Sequence, residues 1–218
     1  MASTTTRVLA ISLNKEPWFD ETYAPLLTAI RSNAEFQRAE NSTSAIQFIA
    51  QTPKPSAILI TDEALTLPEN NAVWEAVLEY IRRGGTAVIM GHFPSYVRPD
   101  DLKPFYSRAG LNWDCGSYHR TTLVLNQAAV GVANATKLPL QYSQKALFVK
   151  NVVPSDMWYK TDEDSLVESR VFAPTSVYSN EETAVALAKV GIGKLGYVGD
   201  VNAEEGSDAV ILAMCGLL

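Results

Sequence analysis

Gly91-His92-Phe93-Pro94-Ser95 follows the apolar run Thr86–Met90 and carries one of the chain's two histidines. A loop placed directly after a buried parallel strand borders the crevice in which open α/β sheets hold ligands. An imidazole there titrates near neutrality and can take or give a proton. The same reasoning puts Asn14, Glu16 and Trp18, after the first apolar run, and Asp62 and Glu63, after the third, on the rim of that crevice. The plainer reading of His92 is a hydrogen-bonded loop residue. Arg98 could meet an anion, with Asp100 and Asp101 as competing partners.

Cys115 and His119 hold the residue types of a thiolate nucleophile and its base. On a strand, residues four apart share a face but stand about 13 Å from each other, beyond hydrogen-bond reach. Gly191-Ile192-Gly193-Lys194-Leu195-Gly196 has the glycine spacing of a dinucleotide fingerprint, whose chemistry needs a strand before it and a helix after it. A strand-like run follows instead, so the segment is read as a hairpin turn. Asp200-Val201-Asn202-Ala203-Glu204 starts like a calcium loop, but its glycine, Gly206, is one place late and Ile211 stands where the bidentate Glu belongs. A weaker cation role for Asp200, Asn202 and Glu204 competes with their being the polar lead into the last helix.

The elements that must position these residues alternate regularly through the first ninety positions. Arg7–Leu13 reads as a strand, Pro25 opens a helix carrying Leu26, Leu27 and Ile30, and Glu35–Glu40 reads as a second strand. A helix with Ile46, Phe48 and Ile49 leads to the buried strand Ala57–Thr61. Thr66 and Glu69 form a capping-box pattern before a helix whose apolar face is Val73, Trp74, Val77, Leu78 and Ile81, stopped by Gly84-Gly85. Such an order predicts an α/β protein, a flavodoxin-like three-layer sandwich with a mostly parallel sheet. Residues 111–180 change to alternating strands and polar loops, an antiparallel extension or insertion within a single domain over 1–218, with 1–6 flexible. The chain closes with a hairpin, Ala184–Val190 and Leu195–Val198, and an apolar helix capped by Ser207 that must be buried because it has no polar face.

Hydrophobic residues make up 47% of the 218 and charged ones 19%, below the usual share of roughly 25%, which excludes disorder. The net charge of −6 gives no electrostatic basis for holding nucleic acid or an anionic membrane. No secretory signal is evident at the start and the longest apolar run is too short to span a bilayer, so a cytoplasmic protein with two free thiols is expected.

Gly84-Gly85 before a strand ending at Gly91, and a late glycine hairpin leading into Val198-Gly199-Asp200-Val201-Asn202-Ala203-Glu204, resemble the class I glutamine amidotransferase-like superfamily, its trehalose-utilisation-type branch most nearly. That family places a cysteine within Gly-x-Cys-x-Gly at a strand-to-helix elbow and a late His-Pro-Glu. Laid on this chain, the resemblance puts Phe93 at the cysteine and Asn202 at the histidine and keeps only Glu204. Phenylalanine has no nucleophilic atom and asparagine cannot shuttle a proton at neutral pH. The resemblance therefore implies a protein without a working Cys-His-Glu triad that binds a small molecule or serves as a non-catalytic partner. Its site would comprise Asn14, Glu16, Asp62, Phe93, Ser95 and Asn202 around His92 and Glu204, with no cofactor and no metal. Two alternatives stay open. One is a hydrolase or carbohydrate-related enzyme with His92 as acid/base beside Asp62, Asp200 or Glu204, or with Ser95 as a displaced nucleophile. The other is a homo-oligomeric protein using Trp113, Tyr118, Trp158 and Tyr159 at its interface, against core packing as the plainer role of those rings.

Overall fold

The computed structural model describes residues 6–171 and 173–218. The expected alternation appears in the first half: β1 (Arg7–Ile11), the short α1 (Phe19–Thr22), α2 (Ala24–Asn33), β2 (Glu35–Ala39), α3 (Ser42–Ala50), β3 (Ala57–Ile60), α4 (Asn71–Arg82) and β4 (Thr86–Ile89). Then come α5 (Phe93–Tyr96), α6 (Pro99–Arg108), β5 (Asp114–Leu125), α7 (Gln127–Val130), α8 (Val132–Ala135), β6 (Gln141–Lys150), β7 (Met157–Lys160), β8 (Glu182–Thr183), β9 (Val185–Val190), β10 (Gly193–Val198) and α9 (Glu205–Met214).

The ten strands of the described residues join one sheet in the order β2-β1-β3-β4-β10-β9-β7-β5-β6-β8. β2, β1, β3, β4 and β10 pair in parallel, and every pairing from β10 through β9 to β8 is antiparallel. The expected mostly parallel, flavodoxin-like sheet is thus corrected to a mixed sheet in which antiparallel pairings prevail. The reason is the β9–β10 hairpin, which reverses direction at the edge of the parallel strands and lets β7, β5 and β6 continue the same sheet.

Side chains alternate across the parallel strands, so each face buries its own core. Leu9, Ile11, Ile58, Ile60, Ala87 and Ile89 meet α3, α4 and α6 on one side. Val8, Ala10, Ala57, Leu59, Val88 and Met90 meet α2 and α9 on the other. The helix faces hold with small corrections. Ala45 and Ile49 are the buried positions of α3, while Ile46 is exposed. Thr66 ends a 3-10 turn with its hydroxyl donating to Glu63 O, and α4 begins at Asn71 after a second turn over Pro68–Asn70, so the capping box is not built. α9 starts at Glu205, leaving Ser207 inside its first turn, where its hydroxyl donates to Gln144 Oε1 at 3.2 Å.

The antiparallel strands also curl. Leu147 N donates to Gly199 O and Val201 N to Lys145 O, both at 3.0 Å, so β6 touches the chain just beyond β10. This contact brings the β5–β6 ribbon to the carboxyl end of the parallel strands. Trp113, Trp158 and Tyr159 pack in the core, and of the four aromatics considered for an interface only Tyr118 is exposed. No helix among the described residues is long and apolar enough to cross a membrane.

Candidate functional site

The carboxyl ends of β1, β3 and β4 converge through short polar contacts. Thr61, just past β3, donates its hydroxyl to Ser12 Oγ at 2.8 Å, and Thr61 O accepts His92 N at 2.8 Å. Asp62 then caps the turn over Glu63–Thr66: Oδ1 accepts Ala64 N at 3.2 Å and Oδ2 accepts Asn14 N at 3.1 Å. Asn14 Nδ2 donates to Glu63 Oε1 at 2.9 Å. Burial pushes the Asp62 carboxyl up to about 6, against the opposing pull of those backbone donors.

Gly91 makes the bend after β4 at φ 69°. A Cβ built there would lie 2.9 Å from Phe19 Cε2 and 3.0 Å from Thr61 O, so the bend has no room for a side chain. His92 follows, 7% exposed, inside a ring of aromatics. The centroids of Phe19, Tyr96, Tyr23 and Trp18 stand 5.2, 5.6, 5.7 and 6.3 Å from the imidazole. Its Nδ1 is buried without a hydrogen-bond partner among the described residues. Burial lowers the His92 pKa, while Glu16 and then Glu63 pull the other way, so the ring is neutral at pH 7. Trp18 and Tyr96 are half exposed and form the outer surface over it.

Of the residues expected to line this place, Asn14, Glu16 and Asp62 gather with His92, and Ser95 is exposed on α5. Phe93 does not: it is fully buried and packs against Phe105, 5.5 Å between centroids, so it offers no surface to a ligand. Asn202 and Glu204 are committed elsewhere. Arg120 on β5 ion-pairs Glu204, donates to Ser143 Oγ at 3.1 Å and, with the Asn202 amide oxygen turned to it, donates to Asn202 at 2.7 Å. Ser143 and Thr122 both donate to Glu168, at 2.6 and 2.7 Å. No local pattern in the sequence marks Arg120, because its partners are set by the β5–β6 register. The cage rings Tyr23 and Tyr96 likewise carry no signal beyond their aromatic type.

The remaining motifs resolve to structural roles. Asp200 is buried and accepts Asn202 N at 2.8 Å and Glu204 N at 2.7 Å, which occupies both its oxygens in turning the chain toward α9. With Glu204 held by Arg120, the cation reading of this segment loses its donors. Of the 191–196 glycines, Gly191 makes the β9–β10 turn at φ 63°, while Gly193 opens β10 and Gly196 lies within it; a Cβ on Gly193 would fall 2.0 Å from Ile81 O. Cys115 and His119 both lie on β5, and His119 stacks on Phe148 at 4.5 Å. Burial raises the thiol and lowers the imidazole, each opposite to what a thiolate–imidazolium pair requires.

No protein-family model and no curated protein sequence matches the chain. Solved structures do resemble it in fold. A β-galactosidase from Bacillus circulans sp. alkalophilus superposes with a TM-score of 0.57 at 14% identity over 96% of this chain. A β-galactosidase from Rahnella sp. R3 does so at 0.53 and 14% over 98%. The chain spans only 30% and 32% of those two enzymes. A ThuA-like protein from Bacteroides uniformis superposes at 0.55 and 9% identity, with 95% of this chain and 88% of that one aligned, so the likeness to it extends over nearly the whole of both folds.

Proposed function

We propose that this chain is a non-catalytic binding module on an amidotransferase-like fold, lacking a Cys-His-Glu triad and holding a small polar metabolite at the rim formed by Asn14, Glu16, Trp18, Ser95 and Tyr96. The observation that carries the reading is the strand-to-helix bend. Its left-handed position is Gly91, where a side chain would collide with Phe19 and Thr61, and the next residue is a neutral histidine closed in by four aromatic rings. A nucleophile needs an exposed atom and a base within hydrogen-bond reach; among the described residues the exposed Ser95 hydroxyl makes no hydrogen bond to His92, whose Nδ1 has no partner. The ThuA-like fold neighbour supports the architecture of the reading.

The test is to assay the purified chain with glutamine and with nitrophenyl galactosides, and to screen a metabolite panel by thermal shift. The expected result is no turnover above buffer, together with a stabilising ligand whose effect is lost in Trp18→Ala. Turnover at an enzymic rate that disappears in His92→Ala would sink the proposal.

One observation favours a second reading, an enzyme with His92 as acid/base. Its Nδ1 is buried without a hydrogen-bond partner among the described residues, and Asp62 is pushed up to about 6. Such an enzyme would lose activity across the titration range of these groups, and a flat pH profile between about 5 and 8 would count against it.

A further inference from the structure

Between α6 and the bulged start of β5 lies an open cleft of about 610 Å³, within the roughly 300–1,000 Å³ of small-molecule sites. Its two walls carry matching charge. The α6 wall presents Asp100 and Lys103, one turn apart, followed by Ser107. The sheet wall presents Asp114 and Lys150, which face each other across the β5–β6 ladder. Neither Asp100 nor Lys103 has an ion-pair partner among the described residues. The Asp114–Lys150 pair is loose, at 3.8 Å, so each of these groups keeps hydrogen-bonding capacity toward the cleft. Pro99 and Pro104 supply apolar surface, and the Cys115 thiol lines the same space.

We infer that this cleft binds a small zwitterion bearing an aliphatic group, of the amino-acid type. Its carboxylate sits between Lys103 and Lys150, its ammonium between Asp100 and Asp114, and its side chain against the two prolines. A ligand with a single charge would engage one like-charged pair and leave the other unengaged. A zwitterion satisfies both, and the charge on the two walls, two acids and two bases, is balanced to receive it. This site uses none of the residues of the rim around His92 and stands or falls independently of that reading.

Cys115 makes the inference measurable. It is partly exposed in the cleft, whereas the chain's other thiol, Cys215, is buried and pushed up to about 12. Alkylation by a small neutral reagent therefore reports on Cys115. Leucine is the probe, with N-acetyl-leucine and leucinamide as controls that each lack one charge. Leucine is expected to slow Cys115 alkylation saturably, by several-fold, with the controls far weaker. Lys103→Ala, a change at an exposed helix position, should weaken leucine protection about tenfold, the loss of one charged hydrogen bond. Calorimetry of leucine binding to the unmodified chain should give the same affinity without the alkylating reagent. Equal protection by N-acetyl-leucine or leucinamide would overturn the zwitterion assignment, and no protection by millimolar leucine would overturn the site.

Discussion

Arg120 and Glu204 are 84 residues apart in the chain and ion-paired in the fold, joining the outer face of the β5–β6 ribbon to the residue that precedes α9. Both side chains are roughly 30% exposed, so water screens the pair and its worth is that of a surface bridge. Arg120→Ala should cost about 1 kcal/mol of stability, including the lost contacts to Ser143 and Asn202. Denaturant unfolding at low and at high salt checks this: the deficit should shrink as salt screens the wild-type pair.

His92 predicts a loss of stability on acidification. Its folded pKa lies below the ordinary 6.5 because of burial, so the unfolded chain binds the proton more readily and stability falls as pH drops from about 6.5 toward the folded value. His119 is shifted in the same direction. In His92→Phe, which keeps an aromatic ring in the cage, the slope of unfolding free energy between pH 7 and pH 5 should be visibly smaller. An unchanged slope would mean the ring is hydrated.

Asp62 predicts the opposite sign. Raised from 3.8 to about 6 by burial, it binds its proton more tightly when folded, so its contribution is present below pH 3.8 and is lost as pH rises through about 6. Asp62→Asn removes that loss. Its single amide oxygen cannot accept both Ala64 N and Asn14 N, so the variant should start below the parent near pH 4 and gain on it by about 2 kcal/mol by pH 7, read from paired denaturation curves.

Gly91→Ala should destabilise by about 2 kcal/mol or more, from the left-handed backbone and the collision with Phe19 and Thr61. Gly91→Cys should suffer the same loss and gain no hydrolytic activity. A stable, active Gly91→Cys chain would show that the bend can open and accept a nucleophile.

Local features were legible from residue order because they depend on neighbours. Apolar runs too short for helices marked β1, β3 and β4, three-and-four spacing marked the faces of α2 and α4, and glycine marked the β9–β10 turn and the bend after β4. His92, Asn14, Glu16 and Asp62 could be grouped because parallel strands bring their carboxyl ends to one edge of a sheet, whatever their separation in the chain. Phe93 misled because a side chain on a tight strand-to-helix turn can face the rim or the core, and a short motif does not say which; here it faces the core.

What the amino-acid order determined by itself was the strand-helix alternation of the first half, the closing hairpin and last helix, and which polar residues follow those strands. What only the tertiary structure decided was direction, register and company. The reversal at β9 turned a parallel sheet into a mixed one, and the β5–β6 register gave Glu204 to Arg120 instead of His92. The packing of α1, α2 and α5 closed four aromatic rings around that imidazole. These outcomes rest on contacts between residues tens of positions apart, whose geometry no local spacing encodes.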